Sequence, residues 1–265
     1  MEPEKQIAMI SMQGVGFSYP GGEPVFEGFT WHVDAGEPWA VLGPSGCGKS
    51  TLLYLLAGLR RPAAGRILID GLPLERPRPR TGLILQDYGL LPWATVAENA
   101  ALGLRLRRFY GPDGLHAPSD ERVPDIAARV DPWLERMGLS GVRDSYPSQI
   151  SGGQRQRTAI ARTLALEPDL LLMDEPFASL DVPTRESLQD LVLGLQAERA
   201  LTVVLVTHAV EEAALIGRRV LVLRQPPIRE AWIYDNPGGG QAGFRSTPEY
   251  LETITALRRA LENRE

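Results

Sequence analysis

One nine-residue segment, Gly43-Pro44-Ser45-Gly46-Cys47-Gly48-Lys49-Ser50-Thr51, constrains the fold more than any other part of the chain. It matches G-x-x-x-x-G-K-[ST] and lies between a short apolar strand, Trp39–Leu42, and a helical stretch, Thr51–Leu59. Glycines in the segment let the backbone curl so that its N–H groups surround phosphate oxygens. The helix that starts there points the positive end of its dipole at the same oxygens. Lys49 adds a point charge for the β- and γ-phosphates, and Ser50 offers a hydroxyl to Mg²⁺. Residues 43–51 are therefore the expected nucleotide-binding loop, with ATP and GTP both open on this motif alone.

The rest of the chain supplies a sheet for such a loop. Ile7–Tyr19 and Gly28–Val33 read as strands around the turn Pro20-Gly21-Gly22, and Gly65–Asp70 and Thr81–Leu85 as further strands. Leu170–Met173, Leu201–Val206 and Arg219–Leu223 alternate with the helical stretches Pro183–Glu198 and Val210–Gly217. Apolar strands alternating with helices predict a largely parallel sheet covered on both faces. Trp93–Arg108, Pro124–Gly138 and Ser151–Leu166 read as helices of an inserted subdomain, interrupted by the polar stretch Gly111–Asp120. The tail opens with Pro226-Pro227, and its Pro237-Gly238-Gly239-Gly240 reads as a flexible hinge. It ends in a helix capped by Thr247 and Pro248. Tyr250, Leu251, Ile254, Leu257 and Leu261 are expected on one side of that helix, docked on the chain's own body, with contact to a partner or a second copy as the alternative.

Composition narrows the partners. The 265 residues carry 28 basic and 33 acidic side chains, a net charge of −5, so no nucleic-acid partner is expected. The single cysteine, Cys47, excludes an internal disulfide or a cysteine zinc site. Met1-Glu2-Pro3-Glu4-Lys5 lacks a signal-peptide pattern, and the apolar runs fall short of the roughly 18 residues of a spanning helix. A soluble chain is expected, with any membrane role exerted through a partner.

Two more motifs carry chemistry. The apolar strand Leu170–Met173 delivers Asp174-Glu175-Pro176 at its carboxyl end, where ligands of such sheets sit. Asp174 there suits Mg²⁺, and Glu175 suits orienting a water and taking its proton. Ser151-Gly152-Gly153-Gln154 has the spacing of a capping box and makes a second anion-binding helix end. A second phosphate cradle is surplus to one site, which suggests that two copies pair head to tail and complete each other.

Together these segments resemble the ATP-binding-cassette ATPases, whose signature L-S-G-G-Q is here Ile150-Ser151-Gly152-Gly153-Gln154. The resemblance covers roughly residues 7–223. It implies a P-loop, RecA-like α/β core with a mixed sheet, an antiparallel β subdomain and a helical subdomain inserted over about 90–160. On this reading residues 1–225 form the ATPase domain and 226–265 a tail. Tyr19, in Phe17-Ser18-Tyr19-Pro20, is similar to the family's adenine-stacking aromatic, which favours ATP. Gln86 matches its Mg²⁺-sensing glutamine, Ser179-Leu180-Asp181 its inter-site loop, and His208 the histidine that contacts the γ-phosphate. The implied catalytic set is Lys49, Glu175 and His208; the implied metal set is Ser50, Gln86 and Asp174. Ile150 and Ala209 depart from the family pattern without touching that set.

Gln86-Asp87-Tyr88-Gly89-Leu90-Leu91-Pro92-Trp93-Ala94-Thr95-Val96 and Asp174–Asp181 resemble the nitrate, sulfonate and taurine importers. The resemblance implies a second copy of the chain and separate membrane permeases as partners, with a solute-binding protein acting indirectly. It places the chain in the cytoplasm, peripheral at the inner face of the membrane. Tyr88, Leu90, Leu91 and Trp93 read either as subdomain core or as a groove for a permease helix. The alternatives are a cassette switch for a non-transport partner and an exporter ATPase with a separate membrane subunit.

Overall fold

The structure, a computed structural model, describes residues 8–122, 125–178 and 180–262. Expectations that fell on Ile7, Pro124 and Ser179 lie outside the described residues. The chain divides into two units. The first takes the residues up to Pro77, Leu172–Glu175 and the residues from Gln189 on; the second takes Arg78–Leu171 and Pro176–Leu188.

The first unit holds two sheets. In one, β1 (Ile10–Ser18) pairs antiparallel with β2 (Pro24–Val33) and β4 (Ala64–Ile69), with the short β5 (Leu72–Pro73) at the edge. β2 starts four residues earlier than the sequence predicts, because Gly28 does not end it. At φ 69° Gly28 lies within β2, and the β1–β2 register shifts between Val15↔Phe29 and Phe17↔Phe26. A glycine inside a strand marks such an irregularity as well as it marks a turn. In the other sheet, β3 (Pro38–Leu42) lies parallel between β8 (Thr202–Thr207) and β9 (Arg219–Val222), and β7 (Leu170–Asp174) follows β8. Every residue of β3, β7 and β8 is buried, as strands covered on both faces must be. Helix α1 (Lys49–Leu56) stops short of the predicted Leu59. Gly58 turns left-handed at φ 71°, where a Cβ would meet the Arg76 carbonyl at 2.5 Å.

The tail residues also belong to this unit and differ from their sequence expectation. An unforeseen strand, β10 (Trp232–Asp235), pairs antiparallel with β9 and extends the sheet. Pro237–Gly240 is no flexible hinge but a packed turn. A Cβ on Gly239 would stand 2.0 Å from the Gly217 carbonyl oxygen, and one on Gly238 would stand 2.1 Å from the Phe244 ring. These glycines serve close backbone approach instead of mobility. Asn236 is buried just before them, donating to the Ala214 and Gly217 carbonyls at 2.7 Å each and accepting from Thr253. It ties the end of α6 (Val210–Ile216) to α7 (Pro248–Glu262). Thr247 accepts from the Tyr250 N–H, as a cap should. Tyr250, Ile254 and Leu257 are buried, whereas Leu251 is 65% exposed and does not share their face.

The second unit contains β6 (Thr81–Ile84), α2 (Val96–Tyr110), α3 (Ile126–Arg136), α4 (Gly152–Leu164) and the start of α5 (Val182–Arg199). α2 begins three residues after the predicted Trp93, because Thr95 and Glu98 close a capping box at Val96. The buried Asn99 amide then pins the preceding segment through the Leu91, Ala94 and Thr95 carbonyls. Trp93 is left 73% exposed, outside any core. Buried Arg107 joins Glu121 at 2.7 Å and the Pro79 and Leu166 carbonyls, while Arg129 holds the other oxygen of Glu121.

Asn236→Ala would leave two buried carbonyls without donors, at about 1–3 kcal/mol each. The expected loss is about 3 kcal/mol of unfolding free energy, read from chemical denaturation.

Candidate nucleotide-binding site

Strand β3 carries Gly43 to its carboxyl end, and the next five residues fold back over it. A Cβ on Gly43 would sit 2.6 Å from both the Cys47 sulfur and the Leu223 carbonyl oxygen. Gly46 and Gly48 take φ values of 80° and 101°, and a Cβ on Gly48 would meet Val25 at 2.7 Å. The loop's course thus leaves no room for a side chain at 43 or 48, and its left-handed turns at 46 and 48 favour glycine. Lys49 is 6% exposed, and its ammonium donates to the Gly43 and Pro44 carbonyls at 2.9 Å each. Two of its three protons hold the loop closed, and the third is available to an anion. Burial pushes the Cys47 thiol up from its ordinary range, with Lys49 opposing the shift.

Around this loop stand three further groups of the first unit. Ser50 hydrogen-bonds the Asp174 carboxylate, which ends β7 in a buried position. Burial raises the Asp174 pKa, the neighbouring Glu175 adds to the rise, and Ser50 and Lys49 oppose it. The carboxylate and the serine hydroxyl are hard oxygens, the donor type that suits Mg²⁺. Among the described residues no group of three or more His, Cys, Asp or Glu side chains could hold a metal.

Glu175 leaves the strand direction at φ 44°, a left-handed conformation that a residue with a Cβ adopts only when its surroundings hold it. Its N–H donates to the Val206 carbonyl at 2.9 Å, and that bond sets the turn. The turn brings the carboxylate Oε2 to 3.0 Å from Nδ1 of His208, at the end of β8. Thr207, which sequence reasoning passed over, accepts from the Ala209 N–H and donates to buried Glu212 at 2.6 Å. It fixes the bend that presents His208, and its only sequence signal is a hydroxyl ending an apolar strand. Tyr19 shares a 3.1 Å hydrogen bond with Thr51, and its ring packs edge-on against Phe17 at 5.1 Å. The Arg60 guanidinium stands 6.0 Å from that ring's centre, a neighbour the sequence did not suggest.

The structure therefore brings together Tyr19, Gly43–Thr51, Asp174, Glu175 and His208. Gln86, Ser151–Gln154 and Asp181 belong to the second unit. There Ser151 and Gln154 exchange the two bonds of a capping box at 3.2 and 2.9 Å. Gly153 is required for a reason the sequence did not reveal: a Cβ would stand 2.6 Å from the Thr184 methyl. Asp181 accepts from the Thr184 N–H, and hydrogen bonds from Thr184 hold its carboxyl below the usual range. Gln86 is exposed.

A sequence model of the ABC transporter family matches residues 26–178, more than half of the chain. The chain belongs to the ABC transporter family. This cassette is 39% identical over 245 residues to the taurine import ATP-binding protein TauB of Pelagibacter ubique, covering 89% of this chain and 88% of that one. It is 40% identical over 207 residues to the aliphatic sulfonates import ATP-binding protein SsuB of Bacillus cereus, covering 78% and 76%. It also superimposes on the dimeric ATP-binding cassette MJ0796 in a post-hydrolysis state with ADP and Pi. That match has a TM-score of 0.73 and 29% identity, over 86% of this chain and 98% of that one. The cassette is an ATPase. Among its described residues no helix is long and apolar enough to cross a membrane.

The raised Asp174 pKa makes a prediction about stability. A folded-state pKa above the unfolded value means that folding takes up a proton, so stability falls as pH rises through that window. Asp174→Asn removes the buried charge, and it is expected to raise the melting temperature of the nucleotide-free protein at neutral pH while abolishing ATPase activity. Thermal scans from pH 4 to 8 check it, and the gain should shrink at the acid end.

Proposed function

We propose that this cassette pairs head to tail with a second copy and hydrolyses ATP to drive uptake of a small sulfonate-type solute through separate permease subunits. The observation that carries the ATPase reading is the 3.0 Å Glu175–His208 pair beside the Ser50–Asp174 pair at one phosphate loop. The names of its relatives, for taurine and aliphatic sulfonate import, support the cargo class.

In this reading adenine stacks on Tyr19 and the phosphates lie in the loop Gly43-Pro44-Ser45-Gly46-Cys47-Gly48, ahead of Lys49, Ser50 and Thr51. Lys49 turns its free proton toward the β- and γ-phosphate oxygens. Ser50 and Asp174 would hold Mg²⁺, which when bound neutralises charge on those oxygens. Gln86 keeps the metal-sensing role its resemblance implies. The second copy's Ser151–Gln154 helix end faces the γ-phosphate, and Asp181 belongs to the loop that communicates between the two sites. A water oxygen attacks the γ-phosphorus, the bond to the ADP oxygen breaks, and the water's proton passes to Glu175. His208 orients Glu175 and contacts the γ-phosphate. Exposed Trp93, after the half-buried Tyr88, Leu90 and Leu91, suits contact with a permease helix at the inner face of the membrane.

Glu175→Gln is expected to lower kcat by about 100-fold or more while ATP binding persists, so that ATP-bound dimers accumulate on size-exclusion. Unchanged turnover would overturn the assignment. Trp93→Ala is expected to weaken co-purification with the permeases and leave the cassette's own ATPase intact. In the reconstituted complex, stimulation of ATPase by taurine or an alkanesulfonate supports the cargo class; stimulation by nitrate alone reassigns it.

A further inference from the structure

We propose that Arg162 and Tyr88 are a positioning pair that holds the Ser151–Gln154 helix end in register with the segment that follows Gln86. The proposal rests on the reading of Gln86 and Ser151–Gln154 as nucleotide-responsive elements, and it gives Arg162, and the backbone and hydroxyl of Tyr88, a role that the reading does not.

Just after Gln86 the backbone passes through two successive left-handed residues, Tyr88 at φ 66° and Gly89 at φ 56°. Glycine accepts this conformation freely, but tyrosine does so only when something holds it. What holds it is Arg162 of α4. Its guanidinium donates to the Tyr88 carbonyl at 2.7 Å and to the Gly89 carbonyl at 2.6 Å. The consecutive left-handed turn swings both carbonyls onto one planar fork, a geometry that an ammonium cannot reproduce with two bonds in one plane. Burial lowers the Arg162 pKa, which disfavours the cation, and the nearby Asp87 carboxylate opposes that shift.

The same tyrosine reaches the other end of the helix. Its hydroxyl lies 3.9 Å from where a Cβ on Gly152 would stand, and Arg155 lies 3.8 Å from that point. Arg155 itself donates to the Pro147 and Ile150 carbonyls, which braces the chain entering α4. Residues 152 and 162 are about 15 Å apart along a helix of 1.5 Å rise. Tyr88 is thus fastened to α4 through its backbone at Arg162, while its side chain reaches the first turn. The Gln86 segment cannot slide along α4 without breaking two charge-assisted bonds. If nucleotide draws Gln86, the signature end of α4 moves with it. Loss of the strap should leave ATP binding in the first unit intact and slow the step that needs Ser151–Gln154 in place.

The test is steady-state ATPase and ATP binding of the full-length chain. Arg162→Met, which keeps the stem's packing, is expected to leave the Kd for ATP within twofold and to lower kcat at least tenfold. Arg162→Lys should recover part of the loss, because its charge can still meet one carbonyl. Tyr88→Phe should lower kcat at least threefold with Kd unchanged. In the double variant Gln86→Ala/Arg162→Met the losses should not multiply, since both interrupt one route; independent losses would mark Arg162 as mere helix glue and overturn the proposal. So would a kcat within twofold of the parent in Arg162→Met, or an unchanged kcat in Tyr88→Phe. Should Arg162→Met fail to fold, Tyr88→Phe decides alone. Unchanged kcat in both Gln86→Ala and Ser151→Ala would remove the underlying reading, and the proposal with it. Normal losses in those two with a silent Arg162→Met would remove the proposal only.

Discussion

A strand buried on both faces can present polar chemistry only where it ends. β3, β7 and β8 have no exposed residue along their length, so each passes its functional group to the first residues beyond the sheet or to its last buried position. β3 leads into the Lys49 loop, β7 ends in Asp174 and turns into Glu175, and β8 leads through Thr207 to His208. Parallel register does the rest: Leu42 stands opposite Thr207 in β8 and Val222 in β9. The site follows from where apolar strands stop, and the Glu175–Val206 bond and the Thr207 hydroxyl then aim the residues beyond those ends.

This arrangement is strained, and the strain lies in the chemistry. Asp174 is buried against its own charge, and Glu175 is held in a left-handed turn by one bond to Val206. Lys49 spends two donors on its own loop. Burial disfavours the charge on Asp174, the left-handed region disfavours a residue with a Cβ at Glu175, and the two Lys49 bonds fix the course of the loop.

Much of this was legible in the chain. The phosphate loop, the Asp174-Glu175 pair and the apolar strands are local patterns, and a short stretch of sequence suffices to see them. Elements that depend on a distant partner were not. Gly28 reads as the start of its strand until β1 is alongside to show the strand running on from Pro24, and Pro237–Gly240 reads as a hinge until Gly217 and Phe244 pack against it. β10 exists because β9 offers an edge, and Leu251 falls outside the docked face because α7 presents Tyr250, Ile254 and Leu257 to its neighbours instead. Trp93 looked equally suited to core or surface, and the Thr95–Glu98 box, by starting α2 at Val96, left it outside.

By itself the sequence determined which residues could carry the reaction, because glycine, lysine, serine and acid at those spacings have few other uses beside apolar strands. It also determined that the Ser151 helix end would be capped, since both bonds of the box lie within four residues. Only the tertiary structure decided which of those residues share a site. It paired Glu175 with His208, seated Tyr19 on Thr51, set Gly153 against Thr184 and fastened Tyr88 to Arg162. Those pairings join residues far apart in the chain, and their distances follow from packing and register, which no local pattern encodes.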